Sequence, residues 1–221
     1  MKILILGDVH AEFGKLNEII NRKNPDLVIC CGDFGYWPNV KTIDQFEKIK
    51  PNNSKILWID GNHENHWALR DRTTDEIVPN VIYMPRGSTY DLPDGRRILF
   101  MGGADSIDKQ YRKIGYDWFP EELITQKDVM NLPDCKIDIL ISHTCSNEIK
   151  DEKMIKLNPL KVKDSSNDAL SYIWNKYRPK MWFFGHWHQF IQGGYQGTLW
   201  WALSHPNEGS RWWIWLPEGK K

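Results

Sequence analysis

Net charge, paired cysteines and long apolar runs are all scarce in this chain. Lysine plus arginine balances aspartate plus glutamate at 29 each over 221 residues, so no global field draws it to nucleic acid or to an anionic membrane. A local basic groove is the remaining route to a polyanion. No run approaches a membrane span, and Lys2-Ile3-Leu4-Ile5-Leu6, running straight into Gly7-Asp8, is too short for a secretory signal and has no cleavage region behind it. The four cysteines, Cys30, Cys31, Cys135 and Cys145, follow no zinc-ribbon spacing. Reduced thiols in a cytoplasm fit them best, with the adjacent Cys30 and Cys31 read as small buried residues. These absences leave a globular domain of neutral charge, and the length fits one α/β domain over 1–221.

Ligand-bearing residues at strand ends are what the chain does have. Lys2–Leu6, Leu27–Cys31 and Lys55–Ile59 read as apolar strands, and Leu16, Ile19 and Ile20 mark one face of a helix between the first two. A second helical pattern at Val40, Ile43, Phe46 and Ile49 is stopped by Pro51. Strands alternating with helices imply right-handed crossovers and a parallel sheet whose ligands sit at the carboxyl ends of the strands. Pro93-Asp94-Gly95 predicts a hairpin turn into Ile98–Met101, and Ile137–Ile141 and Met181–Phe184 are further strands. A helix carrying Leu170, Ile173, Trp174 and Tyr177 precedes the last of these, and 191–216 reads as an antiparallel finish. The twelve tryptophans are read as core and sheet-face packing.

Five clusters fall at the ends of these runs: Gly7-Asp8-Val9-His10, Gly32-Asp33, Gly61-Asn62-His63-Glu64, Ser142-His143 and Gly185-His186-Trp187-His188. A Gly-Asp after a strand is by itself only a turn. Five clusters supplying oxygen and imidazole donors at successive strand ends are the donor set of a metal pair. Such ligands suit Mn, Fe, Zn, Ni or Mg. Two ions need a shared ligand, and a carboxylate such as Asp33 can give one oxygen to each. Water between them loses a proton near neutral pH and becomes a nucleophile for phosphorus, while His63 is placed to protonate the leaving oxygen.

In these blocks and their order, over roughly residues 3 to 190, the chain resembles the calcineurin-like metallophosphoesterases. The resemblance implies a four-layer α/β/β/α sandwich with two divalent ions at its carboxyl rim. It implies Asp8, His10, Asp33 and His188 on the first ion and Asp33, Asn62, His143 and His186 on the second, with His63 as general acid. It implies hydrolysis of phosphate mono- or diesters, commonly with manganese, iron or zinc.

Two departures stand out. After Asp33 the chain continues Phe34-Gly35-Tyr36-Trp37, without the arginine that the protein-phosphatase branch carries there, and Glu64 replaces a common aspartate beside the histidine. The polar loop 102–118, opened by Gly102-Gly103, is the expected substrate wall, with Arg112 as the phosphate contact outside the motifs. His66 is expected to be exposed or in an outer shell, and His205 to be a loop residue near the rim. Neutral charge favours a small-molecule or nucleotide phosphomonoesterase or phosphodiesterase. A nuclease or nucleic-acid end-processing phosphatase would need a basic groove, and a non-catalytic interaction module on the same fold is the third reading. Oligomeric state is not legible in the sequence.

Overall fold

A computed structural model describes residues 1–38, 46–150 and 164–219. Its strands form at the apolar runs: β1 (Ile3–Leu6), β2 (Leu27–Cys30) and β3 (Lys55–Trp58), then β4 (Glu76–Val78), β5 (Val81–Tyr83), β6 (Thr89–Asp91), β7 (Arg97–Met101), β8 (Ile139–Ser142), β9 (Met181–Phe184), β10 (Ile191–Tyr195), β11 (Thr198–Ala202) and β12 (Trp213–Trp215). They build two six-stranded sheets, ordered β12-β1-β2-β3-β5-β4 and β10-β11-β9-β8-β7-β6. In each, parallel strands occupy the centre and one antiparallel strand closes each edge.

Continuous apolar strands are the expected composition for parallel strands covered on both faces. Alternation along each strand divides its side chains between layers. Ile3, Ile5 and Ile29 of the first sheet meet Phe100, Ile141 and Phe183 of the second in a shared inner core. Leu4, Leu6 and Val28 face outward onto Leu16, Ile19 and Ile20 of helix α1 (Phe13–Lys23). Leu140, Trp182 and Phe184 face the other way, onto Leu170, Ile173 and Trp174. Short helices α2 (His66–Arg70) and α3 (Gln126–Met130) lie between, and those last three residues belong to α4 (Ser165–Tyr177). The fold is therefore α/β, two mixed sheets clad by helices as an α/β/β/α sandwich.

The helix expected around Val40 and Ile43 lies outside the described residues, although Phe46 and Ile49 are buried in the outer core. The antiparallel finish forms in part: β10 pairs antiparallel with β11, and β12 with β1, but β11 also runs parallel to β9. Of the two expectations for His66, exposure does not hold, since it is buried, and among the described residues its Nε2 has no hydrogen-bond partner. Burial pushes its imidazole down to about 4, with Asp60 opposing and Arg86 and Arg70 adding to the fall.

One buried ion pair ties the irregular middle of the chain to the first sheet. Arg86 donates from Nη2 and Nε to Asp60 Oδ2 at 2.6 and 2.9 Å, and Tyr83 donates to Asp60 Oδ1 at 2.8 Å. The same guanidinium donates to the carbonyls of Glu121, Glu122 and Leu123. Burial alone would raise the Asp60 carboxyl, but Arg86, His66 and Tyr83 hold it below its ordinary value. Asp60→Asn removes the nearer counter-ion of Arg86 and leaves Asp128 Oδ2, 3.3 Å from Nη1, as the other, so it is expected to cost about 3 kcal/mol in urea unfolding of the metal-free protein, the low end for a broken buried pair. A lowered carboxyl contributes stability that is complete above the unfolded value of 3.8 and disappears as pH falls through the folded one. The gap between wild type and variant should thus persist at neutral pH and close only in strong acid.

Candidate metal centre

The carboxyl ends of β1, β2, β3, β8 and β9 meet along one rim, and the residues just beyond them converge. His186 donates its backbone N–H to both Asp8 oxygens, at 3.0 and 2.9 Å. His188 Nε2 lies 3.1 Å from Asp8 Oδ2 and 3.2 Å from His10 Nε2. Asp33 Oδ2 has an imidazole on each side, His10 Nε2 at 3.4 Å and His143 Nε2 at 3.3 Å. Asn62 Oδ1 lies 3.0 Å from both His143 Nε2 and His186 Nδ1. All seven side chains singled out as metal ligands are therefore neighbours. His186 and His188 turn toward opposite ends of the group, His186 to Asn62 and His188 to Asp8.

Unusual backbone makes this convergence possible. His10, Asp33, His186 and His188 have φ of 47°, 44°, 68° and 50°, a left-handed region uncommon for residues with a Cβ and concentrated at functional sites. Gly61 and Gly185 supply room: a Cβ on Gly61 would overlap Asp33 Oδ1, and one on Gly185 would overlap Asp8 Oδ1. The glycines of the clusters thus let carboxylates lie against the main chain.

The donor set fits a pair of divalent ions. It comprises two carboxylates, an amide oxygen and four imidazoles, with Asp8, His10 and His188 presenting ligand atoms within 4.8 Å of one another. Asp33 has imidazole contacts on two sides, but both fall on Oδ2 and not one on each oxygen as expected, because Oδ1 accepts from the His63 amide. Burial alone would raise Asp33, but His143, His63 and His10 hold it well below the carboxylate range. Burial alone would lower His143, but Asp33, Asp8 and the Cys31 carbonyl, 2.9 Å from Nδ1, push it up to about 10. Burial and the His143 charge drive His186 down to about 3.

His63 and Arg112 stand over this cage. The His63 amide donates to Asp33 Oδ1 at 2.8 Å, which turns the ring toward the cleft. Arg112 Nη1 and Nη2 each lie 3.2 Å from a different His63 ring nitrogen. A neutral imidazole offers one lone pair in its ring plane, so the guanidinium donates to whichever of the two nitrogens the tautomer leaves without a proton. Arg112 Nε also pairs with Asp108 at 2.8 Å. Burial lowers the His63 imidazole, with Asp33 opposing and Arg112 among the groups that reinforce the fall.

Glu64 does not touch the His63 ring. Fully buried, it accepts from Gly35 N at 3.1 Å and Gly61 N at 2.9 Å, joining two of the turns that carry ligands. Burial and the nearby Asp33 raise it to about 8. His205, expected near the rim, stacks on His188 with ring centroids 5.5 Å apart. The sequence reading gave no role to Ser106 or Glu122, which lie directly behind Asn62 in a stretch without periodicity. The cleft in front of the cage has a volume of about 470 Å³, and its further wall carries Asp105, Asp108, Asp164, Ile107 and Trp187.

A sequence model of the calcineurin-like phosphoesterases matches residues 1–190, and the chain belongs to that family. Among individual proteins, it is 23% identical over 232 residues to the lariat debranching enzyme of Homo sapiens, covering 85% of this chain and 42% of that one. It is 26% identical over 174 residues to the CWF19-like protein 1 homolog of Drosophila melanogaster, covering 67% and 27%. The chain thus spans less than half the length of either relative. Phosphopantetheinyl hydrolase from Mycobacterium tuberculosis has the same fold, with a TM-score of 0.54 at 12% identity over 97% of this chain and 96% of that one.

Imidazole must be neutral to bind a metal, and, against the pull of burial, Asp33 and Asp8 raise His143 to about 10. Uptake of Mn²⁺ at pH 8 should therefore release protons into a weakly buffered solution, and apparent affinity should fall as pH is lowered. Calorimetry in two buffers of different ionisation enthalpy measures the release. Uptake without proton release would contradict the protonated state assigned to His143.

Proposed function

We propose that the chain is a metal-dependent hydrolase of phosphate esters acting on small molecules or nucleotides. The observation that carries this reading is the position of Asp33 between imidazoles from both sides of the rim, with His63 facing the cleft above it. In this reading Asp8, His10, Asp33 and His188 hold one divalent ion and Asp33, Asn62, His143 and His186 the other. Manganese, iron and zinc suit the donors best, with nickel and magnesium also compatible. When bound, the ions supply Lewis-acid stabilisation of the phosphoryl oxygens and activation of water.

The protein's own residues do the rest. Arg112, in polar contact with His63 and paired through Nε with Asp108, fixes the imidazole and turns its remaining guanidinium hydrogens to phosphate oxygens. His63 delivers a proton to the departing oxygen, and because burial and Arg112 lower its imidazole this role is served better on the acid side of neutrality. On the far wall Asp105 is paired with Lys109 and Asp108 with Arg112, which leaves no second spare cation among the described lining residues for further phosphates. Among the described residues lining the cleft, Arg112 is the one basic side chain, facing Asp105, Asp108 and Asp164. That lining supports a small substrate over a nucleic-acid strand, which needs a basic track. The loop 102–118 is the substrate wall of a single domain. The cysteines, all unpaired, support a cytoplasmic setting.

Two variants divide these roles. His63→Ala should retain two metals per chain and lose about 10²–10⁴-fold in kcat, whereas Asp33→Asn should lose metal and turnover together. Metal analysis beside rates on a chromogenic phosphate monoester and diester reads both. Equal loss of metal in the two variants would refute the division, and activity on oligonucleotides that falls steeply with salt would refute the small-substrate reading.

A further inference from the structure

An asparagine amide has two ends of nearly equal shape and opposite chemistry, and only the oxygen can face a cation. At Asn62 the oxygen lies toward His143 and His186, and the amide nitrogen lies toward Ser106 Oγ at 3.1 Å. Ser106 Oγ in turn lies 3.0 Å from Glu122 Oε2. Glu122 Oε1 accepts from Ser106 N at 2.6 Å and from Trp118 Nε1 at 3.0 Å. Asn62, Ser106 and Glu122 are all buried.

We infer that Ser106 and Glu122 are positioning residues that lock the Asn62 amide with its oxygen toward the second cation position. The inference rests on the metal reading proposed above. The direction of each hydrogen bond follows from donor arithmetic. Serine has one proton, and the Glu122 carboxylate accepts it at pH above the value of about 7 to which burial raises that acid, so the arithmetic applies at pH 8. The serine oxygen is left with lone pairs only, which the NH₂ end of Asn62 can satisfy and the carbonyl end cannot. A flipped amide would set oxygen against oxygen at Ser106 and N–H against the cation.

The lock is anchored far from the cage. Glu122 owes its position to Arg86, whose Nη2 donates to the Glu121 and Glu122 carbonyls at 3.0 Å each while its Nε and Nη2 grip Asp60. A buried ion pair therefore holds Glu122, Glu122 orients Ser106, and Ser106 orients a ligand. Groups behind metal ligands typically contribute about 10- to 100-fold in metal affinity.

Equilibrium dialysis of chelator-stripped protein against Mn²⁺ alone at pH 8 tests the lock without reference to activity. Wild type should bind two ions. Ser106→Ala and Glu122→Gln should each keep the first at wild-type affinity and weaken the second by about 10- to 100-fold, and Ser106→Thr should restore it. Glu122→Gln is nearly isosteric, yet with Oε1 still accepting from Ser106 N it turns an NH₂ toward Ser106 Oγ. That sends the serine proton toward Asn62 and favours the flipped amide. Thermal unfolding of the metal-free variants reports whether each is folded, and Glu122→Gln serves if Ser106→Ala is not. Two ions bound with wild-type affinity in both variants, equal loss of both ions, or no rescue by threonine would overturn the lock alone. A wild-type chain that takes up no Mn²⁺ would overturn the metal reading and the lock with it.

Discussion

Asp33 carries two imidazoles on one oxygen and the His63 amide on the other, and the rest of the site is arranged around that crowding. A buried carboxylate between imidazoles is stable only while the opposing charges and donors stay fixed. The fold supplies this by bringing strand ends of two sheets to one rim. Asp8, Asp33 and Asn62 follow β1, β2 and β3, and His143 and His186 follow β8 and β9. Neither sheet alone holds a complete donor set. The inner core formed by Ile5, Ile29, Phe100, Ile141 and Phe183 is thus what keeps the two halves of the cage in register.

Backbone strain is concentrated at the same rim. Four ligand residues with positive φ and turns joined through Glu64 cost stability that the layers beneath must offset. The exchange of aspartate for glutamate beside His63 has a clear structural consequence. The longer side chain reaches back to two backbone amides and leaves the orientation of the His63 ring to Arg112.

The five strands that lead to the candidate ligands were legible because each is a continuous apolar run ending in a glycine or histidine cluster; those clusters named the candidates, and the family resemblance supplied their division between two ions. Assembly into two sheets was not legible from periodicity, since parallel strands buried on both faces carry no mark of which sheet they join; the family resemblance supplied it. β4, β5 and β6 are three residues each, too short to show alternation. The parallel pairing of β11 with β9 is decided by the neighbour across the sheet, not by the hairpin with β10. His66 was expected to be exposed or in an outer shell because its surroundings include Arg86 and Phe119, which are distant in sequence, as well as the nearer Asp60. Ser106 and Glu122 were invisible for the same reason: their roles depend on tertiary hydrogen bonds in a segment with no repeating pattern.

Diffraction from crystals soaked in Mn²⁺, with data collected at the manganese absorption edge, tests the central claim most directly. The account predicts two anomalous peaks about 3.5–4 Å apart, one on each side of Asp33, with Asn62 Oδ1 turned to the peak beside His143 and His186. A single peak away from Asp33, or no peak at all in crystals that still diffract, would contradict it.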